Sequence, residues 1–147
     1  MNKKTEEIEL NIQTLGYYVD RVLCVMIKLL NKELKSHGLS LQHSDFTILK
    51  VLSETDGLTQ SQLARVLGKE KSGIGRLVNS LEKDGYIVKN TVNGCTNHVS
   101  LSDKGNSLMP LLNEIANKVT DRAFIGFSEK KRNEMMNNLI KIYKNSI

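Results

Sequence analysis

Apolar side chains recur at every third or fourth position near the start of the chain, which is the period of an amphipathic helix. The pattern predicts a helix from about Glu6 to Lys35 that ends at His37-Gly38, since glycine is common after a helix. Its apolar stripe is wide and consists of Leu15, Tyr18, Val22, Leu23, Met26, Ile27, Leu29, Leu30 and Leu34. This width indicates a second partner besides the helix's own core, although an intramolecular core alone would also explain it.

Two further helical patterns follow. One runs from Leu41 to Glu54. The next is short and begins after Thr59, which forms a capping-box pair with Gln62. Its inward side chains are predicted to be Leu63, Val66 and Leu67.

The next helix is predicted to begin at Ser72, as its cap, and to end before Gly85. Its inward set has the i, i+3, i+4, i+7 spacing of a buried helix face and consists of Ile74, Leu77, Val78 and Leu81. Two outward glycines, Gly73 and Gly75, each weaken the helix by about 1 kcal/mol relative to alanine. They either keep side chains short where the helix backbone closely approaches a partner or are a tolerated weakness.

Two β-like runs, Tyr86–Thr91 and Thr96–Leu101, flank an Asn-Gly pair, which is a strong hairpin signal. Ser102 then caps a helix that continues to about Ala123, and Ser128 caps a last helix. The later apolar faces consist of Leu108, Leu111, Leu112, Ile115, Ala116, Val119, Met135, Met136, Leu139, Ile140 and Tyr143.

Short helix, second helix and hairpin, in this order, are the plan of a winged helix-turn-helix, whose second helix enters the DNA major groove. The predicted fold class is therefore mainly α with a small β-hairpin wing. We expect a single domain over residues 1–147, with a winged-helix lobe at about 41–101 and flanking helices at 6–37 and 103–147.

The net charge of +5 and the pI of about 9.2 favour a polyanionic partner, although many basic domains have none. The N-terminus lacks the apolar region of a signal peptide, and the longest apolar run is too short to span a membrane. Two distant cysteines, Cys24 and Cys95, suggest a reducing compartment. We therefore expect a cytoplasmic protein.

Enzyme chemistry is not expected, because no catalytic triad order, phosphate-binding loop or dinucleotide-binding turn occurs. No cofactor is expected either. Cys95 and His98 have a spacing that a metal could use, but no second pair completes four ligands. A metal site is therefore not predicted.

The candidate DNA contacts lie on the outward face of the second helix of the motif, just before it, and on the hairpin. Arg76 is the best candidate for a base contact, because arginine pairs bidentately with guanine. Asn79 could read adenine or belong to a solvated polar face. Ser72 could bind phosphate or only cap its helix. The full set is Lys69, Lys71, Ser72, Gly73, Gly75, Arg76, Asn79, Lys89, Asn93 and Asn97.

Two separated motifs resemble the MarR family of bacterial transcriptional regulators. The second motif is similar to the family's Leu-Thr-x-x-Gly signature after the wing. The matching residues are Leu63-Ala64, Leu67, Lys71-Ser72, Ile74, Arg76-Leu77-Val78, Leu81-Glu82-Lys83-Asp84-Gly85-Tyr86 and Val99-Ser100-Leu101-Ser102-Asp103-Lys104-Gly105. The resemblance covers nearly the whole chain when the flanking helices are included.

The resemblance implies a homodimer built from the N-terminal and the last two helices, with two recognition helices about 34 Å apart on double-stranded DNA with a pseudo-palindromic operator. It also implies a small-molecule effector pocket between the dimerisation helices and the winged-helix lobe. That pocket would lie near Tyr18, His43, Phe46 and the start of the helix after the wing.

The wing departs from the family pattern, because residues 93–98 contain no arginine and Lys89 is the only charged residue nearby. Minor-groove readout by arginine is therefore not expected. The predicted function is a dimeric repressor whose DNA binding a small molecule modulates. The alternative is a winged-helix protein-interaction module with weak DNA binding, which the neutral wing and the two glycines favour and the retained Lys71 and Arg76 oppose.

Overall fold

The computed structural model of the chain describes residues 14–55, 57–92 and 96–147, without the side chains of residues 92, 96 and 97. Over these ranges the chain is mostly helical, with a small antiparallel sheet, as the sequence predicted. The elements are α1 (Leu15–Ser36), α2 (His43–Ser53), β1 (Leu58–Thr59), α3 (Gln60–Leu67), α4 (Lys71–Lys83), β2 (Ile87–Val92), β3 (Thr96–Leu101), α5 (Asp103–Ala123) and α6 (Glu129–Asn145).

The sheet has three strands in the order β1-β3-β2, where the sequence predicted only the two strands of the hairpin. In β1, Leu58 pairs with Val99 and Thr59 pairs with His98. The long strands pair in register from Ile87 with Leu101 to residue 92 with residue 96. The predicted Asn-Gly turn lies outside the described residues. Because β1 has only two residues, it carries no alternation of apolar and polar positions that a sequence could show.

One apolar core joins the C-terminal part of α1 to the winged-helix lobe and to α5. It confirms the inward set of α4, since Ile74, Val78 and Leu81 are buried. In α3 the prediction was wrong for Val66, whose exposed fraction is 57%, and the small Ala64 takes the buried place. The buried residues are Leu30, Leu34, Leu41, Ile48, Leu49, Leu52, Leu63, Ala64, Ile74, Val78, Leu81, Ile87, Val99, Met109, Leu112, Ile115 and Val119.

Three of the four predicted helix caps are present. Thr59 Oγ1 accepts a hydrogen bond from Gln62 N, and Gln62 Oε1 accepts one from Thr59 N. Ser102 and Ser128 accept bonds from the backbone N–H groups of the third residue of their helices. Ser72 is not a cap, because α4 begins one residue earlier and Glu70 has the extended backbone of the cap position. Ser72 instead lies exposed in the first turn.

The two motifs that carry the sequence resemblance contact each other directly. Ser102 N donates to the carbonyl of Tyr86 at 3.0 Å, and Lys104 Nζ donates to the carbonyl of Asp84 at 2.6 Å. The Lys104 ammonium also lies 4.3 Å from the centre of the Tyr86 ring. A Cβ on Gly105 would collide with the Tyr86 carbonyl oxygen. These contacts fix the start of α5 against the turn that follows α4.

The N-terminal half of α1 and the whole of α6 leave large apolar side chains exposed. None of the residues of α6 is buried. Its exposed apolar residues are Met135, Met136, Leu139, Ile140, Ile142 and Tyr143, and those of α1 are Leu15, Tyr18, Val19, Val22, Leu23 and Val25. Within the described ranges, no helix combines the length and apolar character needed to cross a membrane.

Candidate nucleic-acid interface

Helix α4 presents a polar, cationic face to solvent. Lys71, Ser72, Arg76 and Asn79 are all exposed on it. Within the part of the chain that the structure describes, Lys71 and Arg76 make no hydrogen bond or ion pair. Lys69 lies just before the helix, in the connection that follows the left-handed Gly68, and is also exposed. These cations are therefore available to a phosphate or a base edge.

The two glycines of α4 are half-buried and have different surroundings. A Cβ on Gly75 would lie 3.4 Å from Gln60 Oε1, so Gly75 faces the start of α3. A Cβ on Gly73 would meet no atom within 4 Å, and Gly73 lines a cleft. Gly75 therefore faces α3 and not the open solvent that the sequence had predicted for both glycines, but the contact at 3.4 Å does not itself require a glycine.

Lys89 of β2 is held by helix α4. Its Nζ lies 2.6 Å from Glu82 Oε2 and 2.7 Å from Asn79 Oδ1, and its side chain is only 20% exposed. The sequence predicted Lys89 as a DNA contact and did not predict its pairing with Glu82 and Asn79. The seven-residue separation of Glu82 and Lys89 lies across a turn, so no helix or strand period indicated it.

The remaining candidate DNA contacts on the wing are Asn93 and Asn97. Asn93 lies outside the described residues, and so does the side chain of Asn97. The neighbouring His98 pairs with Asn90 on one side and Thr59 on the other. The described part of the hairpin therefore contributes Lys89 but no unpaired cation.

A cleft of about 680 Å³ separates α1 and α2 from the start of α4. Lys69, Glu70, Gly73 and Arg76 line it on one side and His43 lines it on the other. Three of the candidate DNA-binding residues thus also border this cleft. The sequence did not predict this sharing, because it depends on packing between segments more than 40 positions apart.

A smaller cavity of about 170 Å³ lies between α1, α2 and the C-terminal half of α5. His43 lines both spaces, Phe46 lines the smaller one, and Tyr18 lines neither. The α5 residues at the smaller cavity are Ala116, Val119 and Thr120, so the helix after the wing contributes its second half and not its start.

A hydrogen bond at His43 connects the start of helix α2 to α1. The Asn31 side-chain oxygen accepts a hydrogen bond from His43 N at 2.7 Å. Burial lowers the pKa of the His43 ring, and the nearby positive charge of Lys69 lowers it further. The neutral ring is therefore favoured, with one nitrogen as donor and the other as acceptor.

Cys24 is a free, partly exposed thiol on α1, and Cys95 lies outside the described residues. Among the described residues, no three histidine, cysteine or acidic side chains come together as metal ligands.

The chain has recognisable relatives of known fold. The MarR family profile matches residues 37–93, which span most of the winged-helix lobe. A search of curated proteins finds no match. A MarR transcriptional regulator from Methanosarcina mazei superimposes with a TM-score of 0.83, at 23% identity, over 90% of this chain and 88% of that chain.

Two further structures extend the likeness. A MarR-family regulator from Silicibacter pomeroyi has a TM-score of 0.75 at 25% identity, over 88% of each chain. CouR from Rhodococcus jostii, bound to p-coumaroyl-CoA, has a TM-score of 0.78 at 24% identity, over 88% of this chain and 91% of that chain. The profile match in the winged-helix lobe is to the MarR family, and the whole described chain has the fold of these MarR-family structures.

Proposed function

We propose that this chain is a cytoplasmic, homodimeric repressor that binds a pseudo-palindromic operator in double-stranded DNA through α4. The observation that carries the proposal is the exposed cationic face of α4, where Lys71 and Arg76 have no partner among the described residues. Lysine and arginine at the start of a recognition helix supply both phosphate affinity and base contacts. Similarity of the winged-helix lobe to a family of transcriptional regulators supports the same function.

The unpartnered apolar faces of α1 and α6 support a homodimer. Exposed apolar surface of this extent marks an interaction site, and α6 has no buried residue of its own. An isologous dimer would present two copies of α4 to two half-sites about 34 Å apart.

The cleft beside His43 is the proposed effector site. Lys69, Arg76 and the one N–H donor of a neutral His43 ring suit an anionic compound with an apolar body. Leu23 and Ile27 would contact that apolar body. Because α4 forms one wall, an occupant would contact the helix that reads DNA. A ligand that releases DNA must bind the non-binding state more tightly, whatever its identity.

The test is a salt titration of binding to a duplex that the protein itself selects from a random library. Wild type should bind the selected duplex far more tightly than random DNA, with affinity that falls steeply with salt. Arg76→Ala should weaken selective binding by about tenfold or more. Lys32→Ala, which removes an exposed cation on α1, is the matched control and should have little effect.

The outcome that contradicts the proposal is equally specific. Weak binding of equal strength to every duplex, unaffected by Arg76→Ala, would favour the protein-interaction module. The engagement of Lys89 by Glu82 is the structural observation on the side of that alternative, because it leaves the described part of the wing without an available cation.

A further inference from the structure

One ammonium group joins the wing to the recognition helix. Lys89 Nζ, on β2, contacts Glu82 Oε2 at 2.6 Å and Asn79 Oδ1 at 2.7 Å, and both partners lie on α4. Residues three apart on a helix share one face, so a single side chain from the hairpin can bind both. We call these three residues the Lys89 cluster.

The charge of Lys89 is largely neutralised within the cluster. Its side chain is 20% exposed, about half the exposed fraction of Glu82, and the carboxylate oxygen lies 2.6 Å from the ammonium, which is a short charge-assisted hydrogen bond. A lysine that contributes to phosphate binding has to offer uncompensated charge. The position of Lys89 therefore fits a role inside the protein better than a role as a DNA contact.

The cluster also determines how Asn79 is presented. An ammonium group has only donors, so the atom of the Asn79 amide that faces it must be the oxygen. The amide NH₂ then points away from Lys89 and offers its donors to other groups. Such a donor matches the acceptors of the major groove, namely N7 and O6 of guanine, N7 of adenine and O4 of thymine. A bidentate contact with adenine would require the same oxygen as an acceptor.

We propose that Lys89 is a positioning residue for DNA recognition: through Glu82 and Asn79 it fixes the hairpin against α4 and turns the Asn79 amide so that it donates to a base. This inference rests on the proposed DNA-binding function. It replaces the role of direct DNA contact that the sequence suggested for Lys89, and it adds the other bases with a major-groove acceptor to adenine as bases that Asn79 could read.

The decisive variant is Glu82→Gln, because a phosphate-contacting Lys89 and a positioning Lys89 predict opposite changes in DNA affinity. If Lys89 contacts phosphate, removal of the competing carboxylate frees its charge and raises affinity. If Lys89 acts through Glu82, loss of the ion pair weakens binding to the selected duplex, by about three- to tenfold, although a negative charge has been removed. Glu70→Gln, which removes an exposed carboxylate at the start of α4, is the matched control and should raise affinity slightly.

Three readouts separate positioning from other roles. Lys89→Met should leave the salt dependence of binding almost unchanged, whereas loss of a phosphate contact lowers the slope by about one. Asn79→Ala, Glu82→Gln and Lys89→Met should all relax discrimination at the same base pair of the selected duplex, which a general loss of stability would not do. Lys89→Arg, which keeps the donors, should restore most of that discrimination.

The results that overturn the inference differ from those that overturn the function. Selective binding by the wild type, combined with unchanged or tighter binding by Glu82→Gln, overturns the role of Lys89 alone. Absence of selective binding by the wild type overturns the proposed function and this inference with it. Hydrogen exchange of residues 87–92 then shows independently whether the cluster holds the hairpin, since Lys89→Met and Glu82→Gln should lower protection alike.

Discussion

Gly105 shows how a single residue can be required by a contact that the sequence only hints at. It lies in the first turn of α5, directly beneath the Tyr86 carbonyl. Gly105→Ala places a methyl group against that backbone oxygen, and the overpacking should cost about 2 kcal/mol or more in the free energy of unfolding. Urea denaturation measures this loss. Gly16→Ala, where a Cβ meets no atom within 4 Å, is the control and should not destabilise the protein.

His43 should make the stability of the protein depend on pH. Burial and Lys69 lower the pKa of its ring in the folded protein, so the unfolded chain takes up the proton first as pH falls. The contribution of His43 is therefore intact above its ordinary pKa of about 6.5 and declines below it. Urea midpoints between pH 8 and pH 5 should fall more for wild type than for His43→Gln. Parallel profiles for the two proteins would contradict the burial of this ring.

At the level of elements, the sequence predicted the inward face of helix α4, but it did not show what surrounds each of the two glycines. Gly73→Ala should raise the free energy of unfolding by up to about 1 kcal/mol, because alanine favours the helix and its methyl group meets open space. Gly68→Ala is the matched comparison. It should destabilise the protein, because Gly68 has a left-handed backbone with φ of 59°.

If Gly73→Ala gains stability and still loses DNA affinity, the glycine serves the approach of DNA. If affinity is unchanged, Gly73 is only a weak point of the helix or keeps the cleft open. Loss of stability in Gly73→Ala would contradict the open space around it. Thermal denaturation and the salt titration on the selected duplex give the two quantities.

Local patterns predicted the elements of this fold well, because apolar period and capping act within a few residues. The capping box at Thr59, the inward set of α4 and the strand Thr96–Leu101 are of this kind. Some errors arose where contacts with other segments of the chain determine the local structure. Strand β1 exists through pairing with β3, and Lys89 is bound by Glu82 across the turn. The error at Val66 is local, since Val66 is exposed while Ala64, two residues before it on the same helix, is buried.

The candidate site was predictable to the same degree. The cationic face of α4 follows from helix period, since the residues opposite a buried stripe face solvent. The cleft does not, because α1, α2 and α4 meet there only in the folded chain, and Lys69 and Arg76 border it together with His43. The sequence can identify Lys69 and Arg76 as candidate DNA contacts. Whether the same residues also border the cleft depends on tertiary packing.

At the scale of the whole molecule, dimerisation can be tested through α6. Leu139 lies in the middle of its exposed apolar face, while Asn138 lies about 100° round the helix, on the polar side. Leu139→Asp buries a charge in the proposed interface and should convert a dimer, of twice the 16.5 kDa chain mass, to a monomer. Asn138→Asp adds the same charge outside the interface and should remain dimeric. Light scattering after size exclusion measures both masses.

The same pair of variants connects the dimer to DNA binding. A dimer engages both half-sites at once, and the second half-site binds at a high effective concentration set by the first. Leu139→Asp should therefore lose at least about tenfold in affinity for a two-half-site duplex and much less for a single half-site. The fold of its winged-helix lobe should remain, because Leu139 is 42% exposed and outside the core. Equal losses on both duplexes would mean that the substitution damages the lobe itself, and unchanged affinity on the longer duplex would mean that α6 does not hold the dimer together.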